Sequence, residues 1–126
     1  MQCGYPYDLG GRVVPCGRCM PCRINIKRMW TGRILLESKY NKKPSSFLTL
    51  TYSDINVPRD GQLEIIDFQG FIKNVRNSKR SETIRFFGVG EYGDKFGRPH
   101  YHVAMFNLPP EENEKIFNEA WGNGFT

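Results

Sequence analysis

Apolar residues change their spacing several times along this chain, and each change marks an element. From Arg23 to about Tyr40, the residues Ile26, Met29, Trp30, Ile34, Leu36 and Tyr40 fall within one arc of a helical projection. That spacing predicts an amphipathic helix carrying basic side chains. The segment NKKPSS stops it, because proline and small polar residues break the pattern. In FLTLTYS, Phe47, Thr49 and Thr51 alternate with Leu48, Leu50 and Tyr52, a period of two that predicts a strand with one hydroxyl-bearing face. Asp67 is the expected N-cap of a further helix, in which Phe68, Phe71, Ile72 and Val75 form a stripe to cover a sheet while Lys73, Arg76, Lys79 and Arg80 lie off it. Two apolar runs, IRFFGVGEY and PHYHVAMF, flank a Gly/Asp-rich segment and predict a hairpin with Tyr92 to Pro99 as its loop. After LPP a last helix is expected from about Glu111 to Trp121.

Strand, helix, strand, strand, helix is the order of a ferredoxin-like α+β domain lacking its last strand. Helices on one face of such a sheet leave the other open, with Thr49 and Thr51 beside two histidines, as a polar platform for a nucleic-acid strand. Two parts are expected: residues 1–43, a cysteine-rich segment and basic helix, and residues 44–126, an incomplete sheet domain. A missing last strand would border FLTLTYS and leave an apolar edge, which invites self-association.

Charge sharpens the division. Residues 1–43 hold nine Lys/Arg against Asp8 and Glu37, a net +7, whereas the rest of the chain is close to balanced at −2. A basic face confined to one third of the chain points to a phosphate-bearing partner or to a solvated helix surface. No apolar run approaches the roughly 18 residues of a membrane span, and the N-terminus lacks the apolar core of a signal peptide, so a cytoplasmic protein is expected.

Two constellations carry chemistry. In RPHYHVAMF, strand alternation puts His100 and His102 on one face and Tyr101 on the other. Such a pair alone is as compatible with two structural histidines as with a site. If the hairpin forms as predicted, Glu91 stands opposite His100, and two imidazoles and a carboxylate then converge as ligands for a divalent ion with open positions for a substrate oxygen. The second constellation is Cys3, Cys16, Cys19 and Cys22 within CGYPYDLGGRVVPCGRCMPC. Disulfides are not expected in a reducing cytosol. Cys-x-x-Cys turns, with Gly17 and Pro21 at the bends, suit a tetrahedral zinc site. An iron–sulfur cluster is the competitor, but the fourth cysteine trailed by proline that such runs usually carry is absent. Free thiols in a tail are the remaining possibility.

With these motifs in place, the sequence resembles the replication initiators of small single-stranded DNA phages of the microvirus (gokushovirus-like) group, which are rolling-circle HUH endonucleases. FLTLTYSD corresponds to the strand motif near DNA, GEYGDKFGRPHYH to the metal motif and VPCGRCMPCR to the cysteine-rich start. The resemblance implies Mg²⁺ or Mn²⁺ at His100 and His102 with Glu91 as third ligand, single-stranded origin DNA as partner, and an infected bacterial cell as location. It also implies nicking by a tyrosine that becomes joined to the 5′ side of the cut. That tyrosine follows the metal motif in the family, and this chain has none after Tyr101, so the nucleophile is expected beyond Thr126 and the chain is expected to be inactive alone. Expected DNA contacts are Thr49 and Thr51 on the sheet and Arg23, Lys27 and Arg28 on the basic helix. A non-catalytic, zinc-stabilised module binding single-stranded nucleic acid is the alternative. A metal-dependent hydrolase of small substrates, which predicts no basic third, ranks last.

Overall fold

The computed structural model describes residues 1–126, which divide into two compact units, Met1–Tyr40 and Asn41–Thr126. In the first unit, β1 (Tyr7–Asp8) pairs antiparallel with β2 (Val13–Val14), and α1 follows over Met20–Tyr40. The tight turn between the strands uses Gly10 and Gly11, both at positive φ, and the Gly11 N–H donates to the Asp8 carboxylate at 2.9 Å. The helix starts three residues before the predicted Arg23. Pro21 lies in its first turn, where a missing N–H costs nothing, and so opens the helix instead of bending the chain. The predicted single apolar arc is also corrected: Met20, Ile24 and Leu35 fall opposite it, and Lys27 and Glu37 fall inside it. Apolar and charged groups therefore surround α1.

The second unit is built on a four-stranded antiparallel sheet. Its strands are β3 (Ser46–Tyr52), β4 (Arg85–Tyr92), β5 (Pro99–Phe106) and β6 (Gly124–Phe125), in the spatial order β4-β5-β3-β6. Two helices, α2 (Ile65–Ser78) and α3 (Pro110–Trp121), lie against one face. Leu50 and Tyr52 of β3 and Tyr101, Val103 and Met105 of β5 point to that face and pack with Phe68, Phe71, Ile72 and Val75 of α2 and Phe117 and Trp121 of α3. The predicted α2 stripe is buried in full. Strand β4 comes close to α2 because it carries Gly88 there; a β-carbon at that position would lie 2.3 Å from the Phe68 ring.

Two further expectations need correction. Asp67 sits in the first turn of α2 and not at its cap, which is Glu64; its carboxylate instead accepts a hydrogen bond from the Tyr52 hydroxyl at 2.8 Å. The last strand is not missing altogether. Gly124 pairs with Tyr52 and Phe125 with Thr51, so β6 covers one end of the β3 edge. Close approach of this two-residue strand depends on a glycine at position 124, since a β-carbon there would meet the Thr51 carbonyl oxygen at 2.0 Å.

Candidate metal centres

Hairpin register builds the first site. Strands β4 and β5 pair Tyr92 with Pro99 and Glu91 with His100, as the loop length predicts, while Gly97 at positive φ and the Gly93 N–H bonded to the Arg98 carbonyl at 2.9 Å close the turn. Strand β3 then sets Thr51 opposite His100 and Thr49 opposite His102. All of these residues lie on the face away from the helices. Glu91 Oε2 stands 3.3 Å from His100 Nε2 and 3.0 Å from His102 Nε2. The histidine side chains are mostly covered, at 20% and 27% exposure, and the carboxylate is 58% exposed.

The other ring nitrogens explain why both Nε2 atoms point inward. His100 Nδ1 lies 3.2 Å from the Arg98 carbonyl oxygen, which can only accept, so this nitrogen is the donor and Nε2 keeps its lone pair. His102 Nδ1 lies 3.0 Å from the Thr49 hydroxyl, a partner able to hold the same tautomer. An octahedral ion with bonds of about 2.1 Å keeps adjacent donors about 3 Å apart, which matches the spacing of the carboxylate oxygen from each imidazole. Two neutral imidazoles and an anionic oxygen, open to solvent on one side, are a donor set fit for a divalent cation.

Three features of this site were not read from the sequence. The Thr49 hydroxyl bonds to a histidine, where only a place on the same face was expected. The Phe47 ring stacks on His102, with centroids 5.5 Å apart and planes inclined by 14°. The Arg98 guanidinium donates to the Tyr52 carbonyl at 2.7 Å and pairs with Asp54 at 3.1 Å, tying the hairpin loop to the segment after β3. Alternation in FLTLTYS carried the signal for the first two, but the register of β3 against a strand some fifty residues away did not follow from it.

Tyrosine placement is equally specific. The Tyr52 hydroxyl meets Asp67, the Tyr101 hydroxyl donates to the Glu64 carbonyl at 2.8 Å, and the Tyr92 oxygen accepts from the Leu63 N–H at 3.2 Å. Burial, together with hydrogen bonding to Tyr101 and Asp67, pushes the Tyr52 phenol far above its ordinary range. All three side chains leave the sheet on the helix side, so no tyrosine of Asn41–Thr126 faces the Glu91–His100–His102 cluster.

The second site brings together all four predicted cysteines. Cys3 precedes β1, Cys16 follows β2, Cys19 precedes α1 and Cys22 lies buried in its first turn. Their sulfurs lie within 4.8 Å of one another, with 4.0 Å between Cys16 and Cys22 and 3.9 Å between Cys19 and Cys3. These are not disulfide distances. A tetrahedral zinc with metal–sulfur bonds of about 2.3 Å holds its sulfurs about 3.8 Å apart. Backbone N–H groups turn toward the sulfurs: Tyr5 and Cys16 donate to Cys3, at 3.4 and 3.3 Å, and Arg18 and Cys19 to Cys16, both at 3.4 Å. The donors at Arg18 and Cys19 hold the Cys16 thiol below its usual range, those at Gly4 and Cys22 bring Cys19 to about 6, and burial pushes Cys22 up to about 12. Gly17, at positive φ, provides the turn that presents these N–H groups.

Against known proteins, the family model for the replication-associated protein ORF2 matches residues 45–126, the part that holds the sheet and the Glu91–His100–His102 cluster. The chain belongs to this family. It is 36% identical over 117 residues to replication-associated protein VP4 of Bdellovibrio phage phiMH2K, and 37% identical over 116 residues to replication-associated protein ORF2 of Spiroplasma virus 4. These alignments cover 87% and 86% of this chain and 36% of each relative, so the chain spans about a third of their length. Replication-associated protein ORF4 of Chlamydia phage 1 is 29% identical over 106 residues, 82% of this chain and 26% of that protein. No solved structure matches.

Proposed function

We propose that this chain carries the metal-binding and strand-binding part of a phage replication initiator, a rolling-circle HUH endonuclease of the microvirus type that nicks single-stranded origin DNA. The observation that carries the reading is one carboxylate oxygen shared by two imidazoles on the open face of a sheet, at 3.3 and 3.0 Å. The strand order β4-β5-β3-β6 supports a ferredoxin-like domain, with β6 as the start of its fourth strand. Its relatives' names support a role in replication.

Glu91, His100 and His102 would hold Mg²⁺ or Mn²⁺, which when bound polarises a phosphate oxygen and offsets the charge that develops during cleavage. The remaining work falls to the protein. Thr49 and the Arg98 carbonyl fix the two rings, and the open face with Thr49 and Thr51 receives the strand. Arg23, Lys27 and Arg28, exposed on α1, supply cations for its phosphates. In the reaction proposed, a tyrosine hydroxyl attacks the scissile phosphorus, the bond to the 3′ oxygen breaks, and the products are a 5′-phosphotyrosine link and a free 3′ hydroxyl. Since Tyr52, Tyr92 and Tyr101 all face the helices, the nucleophile would be supplied from outside residues 41–126. The Cys3–Cys16–Cys19–Cys22 cluster would hold a structural zinc.

That no tyrosine faces the cluster favours, as the second reading, a zinc-stabilised module that binds single strands without cutting them. Calorimetric titration with Mn²⁺ separates the two. The parent chain should take up one ion, and His102→Ala should lose that binding; equal heats from both proteins would overturn the metal assignment and favour the second reading.

A further inference from the structure

Phe47 is the feature of the open face that the proposed reaction does not use. It lies two residues before Thr49 on the same side of β3, opposite Ala104 of β5, and 72% of its surface is exposed. An apolar ring in water gives up the stabilisation that burial would give it. One face of this ring is occupied: it stacks nearly parallel on His102, whose Nε2 lies 3.0 Å from Glu91. The other face is not covered by a side chain of comparable size, since the strand neighbour Ala104 carries only a methyl group.

We infer that Phe47 is a stacking platform for one base of a single strand, so that a nucleobase lies on its outer face and extends the stack His102–Phe47 by a third ring. The occupant follows from the chemistry beside it. The proposed metal draws a phosphate to the His102 side of the ring, and in a single strand each phosphate has an unpaired base attached to it. Stacking accepts any base, because each has a π face, and so this contact would hold the strand without reading sequence. A duplex keeps its bases stacked on one another and offers none to Phe47. The residue is therefore a positioning residue that keeps the strand beside the metal and favours single strands over duplex.

This inference rests on the proposed binding of single-stranded DNA, and the experiment tells the two apart. Fluorescence anisotropy of a labelled single-stranded oligonucleotide would be measured with the zinc-loaded parent chain, Phe47→Ala and Phe47→Trp, without added Mn²⁺ or Mg²⁺. Alanine should weaken binding about tenfold, within the range for loss of one stacked base, while binding to a duplex of the same sequence stays unchanged. Tryptophan should keep the affinity and give quenched indole emission on binding, beyond any change shown by the parent. If Phe47→Ala binds the single strand as tightly as the parent but takes up Mn²⁺ more weakly, the ring only buttresses His102 and the inference is overturned. If the parent itself does not bind single strands, the proposed function falls, and this inference with it.

Discussion

Which nitrogen of His102 carries a proton depends on the hydroxyl of Thr49. With Nδ1 engaged at 3.0 Å, Nε2 is left to face Glu91 as a ligand, and the ring is held against rotation. Thr49→Val keeps the β-branched shape that suits a strand and removes only the hydroxyl. It should lower Mn²⁺ affinity by roughly 10- to 100-fold, as loss of an outer partner to a metal-bound histidine does, with little effect on thermal unfolding of the metal-free chain. Titration calorimetry and a melting curve check the two halves of this statement. An unchanged affinity would mean that packing against Phe47 alone orients the ring.

At the scale of elements, the cysteine cluster joins parts that have little else to hold them. Strands β1 and β2 are two residues long, and an isolated hairpin of that size is not stable in water. Removal of the ion should therefore abolish amide protection between Cys3 and Cys22 while the sheet stays protected, because the core behind the sheet draws its residues only from Leu48 to Trp121. Elemental analysis should find one zinc per chain before chelation and none after it; iron with a visible chromophore would reject zinc. How far such elements could be read in advance depended on where their determinants lie. The β4–β5 register, and with it the Glu91–His100 pair, follows from a short loop rich in turn residues, and the α2 stripe from local periodicity. The start of α1 did not, because proline suits a bend and a first helical turn equally well. Nor did β6, since two residues have no period; what makes Gly124–Phe125 a strand is the distant edge of β3.

For the whole molecule, the uneven charge predicts how binding responds to salt. Affinity for single-stranded DNA should fall steeply as salt rises, with log K linear in log salt, and replacing both Arg23 and Lys27 by alanine should flatten the slope by roughly one to two units. Incubation with an origin oligonucleotide and Mn²⁺ should leave no covalent adduct on a denaturing gel, because Tyr52, Tyr92 and Tyr101 are turned toward the helices. An adduct would place the nucleophile among the tyrosines of this chain. Sheet order has a kinetic consequence as well. His100 and His102 belong to β5, which is bonded to a neighbour on both sides, whereas Glu91 belongs to β4, at the margin with a single neighbour. Strands at a margin fray more readily than strands between two others. The two imidazoles thus form a standing seat and the carboxylate a hinged latch, so that ion exchange would be paced by the opening of β4 and could proceed without unfolding the rest of the sheet.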